Sequence, residues 1–263
     1  MTWMTSGERL FREIRDRALP SNPSTSDAWL QLRDTFAGVS GSDGFHDYVL
    51  GAVAVHALRR LMRYWQDQRP YPPEHTWAKK LGTFIKNNLF TDLDDEQISK
   101  LARLAMKAAD ASDKPISSTT ERLVVAEQKP PRCYLCGVVL VRGAGATPTN
   151  RLTLEHLWPC SVGGESVEEN LLPACEPCQQ RKGDAFSWEW PNIHFVVLSA
   201  TPSPRELGAI RWSTQYALYY LKVMELCERS DLSLKQGFLS VGPLRQLTHR
   251  RTGVPLSFFD LQI

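Results

Sequence analysis

Apolar residues recur at spacings of three and four through most of the amino-terminal half of the chain, the pattern of amphipathic helices. Leu10, Phe11, Ile14 and Ala18 predict a first helix over 7–18, opened by Ser6 and stopped by Pro20. Trp29, Leu30, Leu32 and Phe36 predict a second over 27–37. The longest stretch is 45–68, where Tyr48, Val49, Ala52, Val55, Leu58, Leu61, Met62 and Trp65 form the stripe. Pro70, Pro72 and Pro73 break the pattern, which resumes over 74–88 and again over 94–111 with Ile98, Leu101, Leu104 and Ala105. Residues 1–112 therefore read as a helical domain, with no chemistry legible in it. Arg59, Arg60 and Arg63 fall toward the end of the long helix and read as a solvated face or as partners of its dipole.

The period then changes. Pro115 with its Ser and Thr neighbours, and Lys129-Pro130-Pro131 further on, mark 113–131 as a linker, with 121–127 open between helix and strand. Alternation over 138–142 and 151–156 predicts two strands, paired as a hairpin across the loop 143–150. A short helix after Cys178 ends at Lys182, with Gly183 as its cap. Beyond it, in a mostly helical region 186–263, a strand is expected at 194–198 and a strong helix at 205–227. Tyr216, Tyr219 and Tyr220 flank that helix's apolar stripe as packing groups. The fold class is α+β: a mainly helical protein with a small ββα module at 132–185.

Chemistry concentrates in that module. Cys133-Tyr134-Leu135-Cys136 and Cys175-Glu176-Pro177-Cys178 are two Cys-x-x-Cys pairs, and four thiolates so spaced form a closed tetrahedral site for structural Zn²⁺. Of the six cysteines, Cys160 and Cys227 are left over and read as buried thiols, a usage that suits a reducing cytoplasm. No apolar run is long enough to span a bilayer and no secretory h-region opens the chain, so a soluble, cytoplasmic protein is expected. The net charge of +2 leaves nucleic-acid contact to local patches. Arg181 and Lys182 in the module are the first candidates, and Arg245, His249, Arg250 and Arg251 in the tail the second.

Between the cysteine pairs lie Glu155-His156, then Pro159, Gly163-Gly164, Asn170-Leu171 and, directly after Cys178, Gln179. Side chains alternate faces along a strand, so Glu155 and His156 reach one site only if the strand bulges or ends there. This run, from Cys133 to Asp184, resembles the HNH family of ββα-metal endonucleases, in the subgroup stapled by two Cys-x-x-Cys pairs. The resemblance implies that His156 is the general base that activates water against a phosphodiester and that Asn170 braces the loop. It also implies that Glu155 and Gln179 are ligands of a catalytic Mg²⁺ or Mn²⁺. Gln179 departs from the family's His or Asn. The implied function is DNA nicking or cutting, by analogy as the nuclease subunit of a bacterial phage-defence or restriction system, with a protein partner on the helical domain. The alternatives are an inactive zinc-dependent module that binds nucleic acid or protein, and an RNA-cutting toxin.

Overall fold

The computed structural model describes residues 2–21, 27–28, 30–31, 34, 42–68, 76–189 and 204–244. Its first helix, α1 (Ser6–Glu13), is capped by Thr5, whose hydroxyl accepts from Glu8 N. The cap is thus one residue ahead of the predicted Ser6. Nor does Pro20 stop the helix: the chain widens into a π turn (Ile14–Ala18) and runs on through Leu19–Ser21. A wider turn relaxes the ladder just ahead of the proline, which can neither donate nor tolerate the usual carbonyl below it.

Further helices are described before the sheet. They are α2 (Ser42–Gln68), α3 (Trp77–Asn88), α4 (Asp95–Ser112) and α5 (Ser118–Ala126). Asp94 and Gln97 form a reciprocal capping box on α4. Ser117 caps α5, which settles the open stretch 121–127 as helix. The expected linker is therefore partly a packed element: Val124 is fully buried and α5 lies against the sheet. The helix expected at 27–37 falls largely outside the described residues, and the strand at 194–198 and the tail from Arg245 wholly so.

The sheet corrects the predicted pairing. Strand β1 (Leu152–His156) pairs antiparallel with β2 (Leu171–Cys175), Glu155 opposite Leu172 and His156 opposite Leu171. Residues 138–142 instead make isolated bridges, Arg132 with Val139 and Val141 with Arg151. The cause is burial: all five residues of β2 are inside, so it shows no alternation to mark it as a strand. Helix α6 (Glu176–Lys182) starts directly after β2 and contains Cys178, with Gly183 at its cap as expected. Helix α7 (Pro204–Ser230) follows. A helix absent from the sequence reading, α8 (Leu234–Val241), is announced by a Ser233–Gln236 capping box.

One apolar core joins the amino-terminal helices to the module. Phe11 of α1 packs edge-on to Phe186 and lies tilted to Trp158, with ring centroids 5.6 Å apart in both pairs. Tyr134, Tyr219 and Tyr220 surround Phe238 of α8. Packing was the expected role of the α7 tyrosines, and Tyr216, Tyr219 and Tyr220 are all fully buried. No helix among the described residues is long and apolar enough to cross a membrane.

Candidate functional site

The four cysteines come together. Sγ atoms of Cys133, Cys136, Cys175 and Cys178 lie within 4.8 Å of one another, and Cys136 and Cys175 are 3.7 Å apart. A tetrahedron with metal–sulfur bonds of about 2.3 Å has edges of about 3.8 Å, the scale on which these four sulfurs are gathered. Backbone bonds shape the first knuckle: Gly137 N donates to Cys133 O, and Cys133 N to Val138 O. The hydrogen bond between Cys133 and Cys178 brings the Cys133 thiol down to about 5 and pushes the Cys178 thiol up, as two thiols sharing one proton do. Cys175 ends β2 and Cys178 sits in the first turn of α6, so the cluster ties the knuckle to both. Those cysteines thus form a site that could hold a metal ion such as zinc.

On the other side of the module, the loop between β1 and β2 is fixed by one buried amide. Asn170 Oδ1 accepts from Trp158 N at 2.8 Å, while Nδ2 donates to Trp158 O and Glu165 O, both at 2.9 Å. Two glycines permit the loop's close passage. Gly163 has φ +85°, and a Cβ on Gly164 would lie 1.8 Å from Trp158 O. The amino end of α1 seats on this loop: Gly7 N donates to Gly163 O, and Ser6 donates from N and Oγ to the Glu165 carboxylate. The sequence reading had Ser6 only as a helix cap and did not single out Glu165, because nothing local relates residues 159 positions apart.

His156 is the last residue of β1 and is half-buried, its Nε2 3.0 Å from Ser166 Oγ. Burial first, and the Lys182 charge second, bring its pKa down to about 4, so the imidazole is neutral at pH 7. Ser166 also bonds Cys160, the half-buried thiol beside it. No sequence signal marks Ser166 as the partner of His156. It simply follows the two-glycine loop.

Glu155 takes the opposite direction. The register is regular through both residues, so no bulge re-aims it. Its carboxylate is buried and meets Lys182, whose Nζ donates to Glu155 Oε1 at 2.8 Å, His156 O at 2.9 Å and Gly183 O at 3.3 Å. Burial pushes the Glu155 carboxyl up and the Lys182 ammonium down, and each charge opposes the shift of the other. Lys182 is therefore not placed for phosphate: with its side chain fully enclosed, it is an internal strut from α6 to β1. Arg181 is the exposed one, its guanidinium 5.8 Å from the Trp212 ring centroid.

Gln179 faces β1, donating from Nε2 to Leu154 O at 3.1 Å. Its side chain also hydrogen-bonds the Glu155 carboxylate, so the structure brings these two residues together, with Lys182 as a third member of the group. Among the described residues, the cysteine cluster is the only group of three or more His, Cys, Asp or Glu donors so gathered. No protein-family model, curated protein or solved structure matches this chain.

Proposed function

We propose that the protein is a nucleic-acid phosphodiesterase, an endonuclease of the HNH kind acting on DNA, with His156 as the base. The supporting observation is the placement of a neutral imidazole at a strand end. Its Nε2 is held by Ser166, on a hairpin whose loop is fixed by Asn170 and whose helix is anchored by Lys182 and the cysteine cluster. Hydrolysis of a phosphodiester needs a water deprotonated in line with the leaving oxygen, and a neutral histidine accepts that proton. Ser166 orients the ring through one nitrogen. Zinc supplies no step in this scheme; its cysteines hold β2, α6 and the knuckle in one body.

Charge developing on the phosphate calls for a cation. Mg²⁺ or Mn²⁺ is the ion we propose for it, carried mainly by the substrate's own oxygens because Glu155 and Gln179 are committed to Lys182 and β1. Arg181, an exposed cation on α6, is the one we propose for substrate contact. A role in a bacterial phage-defence or restriction system, with a protein partner on the helical region, is proposed by analogy alone.

One observation favours a second reading, a zinc-stabilised binding module without catalysis: an ammonium group already neutralises Glu155. Digestion of DNA and of RNA side by side, by wild-type and His156→Ala proteins of equal zinc content, separates the readings. DNA cleavage lost in the variant supports the nuclease. RNA cleavage alone supports the toxin, and no cleavage of either supports the binding module.

A further inference from the structure

Away from the module, α2 and α3 enclose a groove of about 360 Å³ lined by Tyr64, Thr76, Lys79, Lys80, Thr83, Phe84, Asn87 and Asn88. Among the described residues its lining carries two ammonium groups, three hydroxyls and two amides, and no carboxylate. Lys79 and Lys80 are exposed, and neither forms an ion pair among the described residues.

From α2, Tyr64 lines the groove and Arg60 reaches the same Phe84 ring. Tyr64 stacks on Phe84 with ring centroids 4.1 Å apart and planes 13° from parallel. Arg60 crosses from α2 to α3: its guanidinium lies 5.9 Å from the Phe84 centroid, and its Nη1 donates to Asn88 O at 3.1 Å. Exposed Arg63 lies between Arg60 and Tyr64 in position, one turn along the same face. The nearest carboxylate in sequence is Asp67, four residues on. These arginines do not serve the dipole of α2, which runs on to Gln68 with no basic residue in its last turn.

We propose that this groove binds the phosphate backbone of DNA, as a second contact surface apart from His156. The positive lining complements phosphate, and its length fits a polymer rather than a single anion. From Thr76 to Asn87 the helix advances about 16 Å, and successive phosphates of one strand rise by about 3.4 Å. Asn87 and Asn88, about two turns on from the lysines, add amide donors along the same line, one Asn88 N–H being taken by Phe84 O and the Thr83 hydroxyl by Lys79 O, and such donors fix register without reading sequence. That the polymer is DNA rests on the nuclease reading; the charge and shape of the groove do not.

The test is binding of a labelled DNA duplex to His156→Ala protein, with and without Lys79→Glu and Lys80→Glu, across a salt series. A control carries Lys107→Glu and Lys222→Glu, two exposed lysines outside the groove, for the same change in net charge. The groove variant is expected to bind roughly tenfold more weakly near physiological salt, and its log–log salt slope to fall by about 1.8 for two lost phosphate contacts. The control should bind like its parent. Equal weakening in groove and control variants, an unchanged affinity, or no binding by the parent at low salt would each overturn the proposal. Because no cleavage is measured, a groove that binds DNA in a protein that never cuts it would retain this inference and remove the nuclease reading. Cleavage with an indifferent groove would do the reverse.

Discussion

Lys182 Nζ and Glu155 Oε1 are 2.8 Å apart with both side chains buried, so the last residue of α6's helical run is tied to the strand that carries His156. The same ammonium binds the carbonyl of His156 itself. Lys182→Met leaves the Glu155 carboxylate enclosed without its countercharge and should destabilise the fold by about 3–5 kcal/mol. Combining it with Glu155→Leu should restore much of that loss, because two desolvated charges are removed together. Denaturant unfolding of the two variants and the double variant measures this, and additive losses would contradict it.

The contact between α1 and the glycine loop gives a second prediction. A Cβ on Gly7 would lie 2.0 Å from Val162 O and 2.5 Å from Trp158 Nε1, and both atoms belong to packed, hydrogen-bonded groups. Gly7→Ala should therefore displace α1 and cost about 2 kcal/mol or more, whereas Glu165→Gln, which keeps an acceptor for Ser6, should cost about 1 kcal/mol. Thermal unfolding compares them. A Gly7→Ala protein as stable as wild type would refute the seating of α1 on this loop.

Much of this geometry was legible in the sequence, and the reasons differ by residue. The cysteines announced themselves because metal ligation constrains spacing. Periodicity found α2, α4 and α7 because their stripes face one core. It missed β2 because a strand buried on both faces does not alternate, and so it paired β1 with 138–142 instead. Lys182 was misplaced among the phosphate contacts for a related reason: a lysine at a helix end is usually solvated, and only the tertiary position of Glu155 encloses it. Ser166 and Glu165 act through partners distant in sequence or across a loop, which no local pattern records.

Zinc removal tests the cysteine cluster. A strong chelator, or Cys175→Ser, should release one zinc per chain and unfold β1, β2 and α6 together, since the same cysteines hold the knuckle, the strand and the helix. Metal analysis with circular dichroism follows both. A chain that purifies without metal and stays folded would contradict the assignment.

The pH behaviour of His156 follows from its burial. Its folded pKa is about 4, below the value of about 6.5 expected in the unfolded chain. The unfolded state then binds the extra proton between those values, so the stability this histidine contributes is present above about pH 6.5 and is lost as pH falls toward 4. NMR titration of the imidazole should show it neutral at pH 6, and a midpoint near 6.5 would contradict the enclosed geometry.

The central claim is tested most directly by incubating supercoiled plasmid with the purified protein in Mg²⁺, in Mn²⁺ and in EDTA, alongside a folded His156→Ala protein of equal zinc content. The account predicts nicking or linearisation that requires the added ion and disappears in the variant. Cleavage that persists in His156→Ala, or a plasmid left intact under every ion, would contradict it.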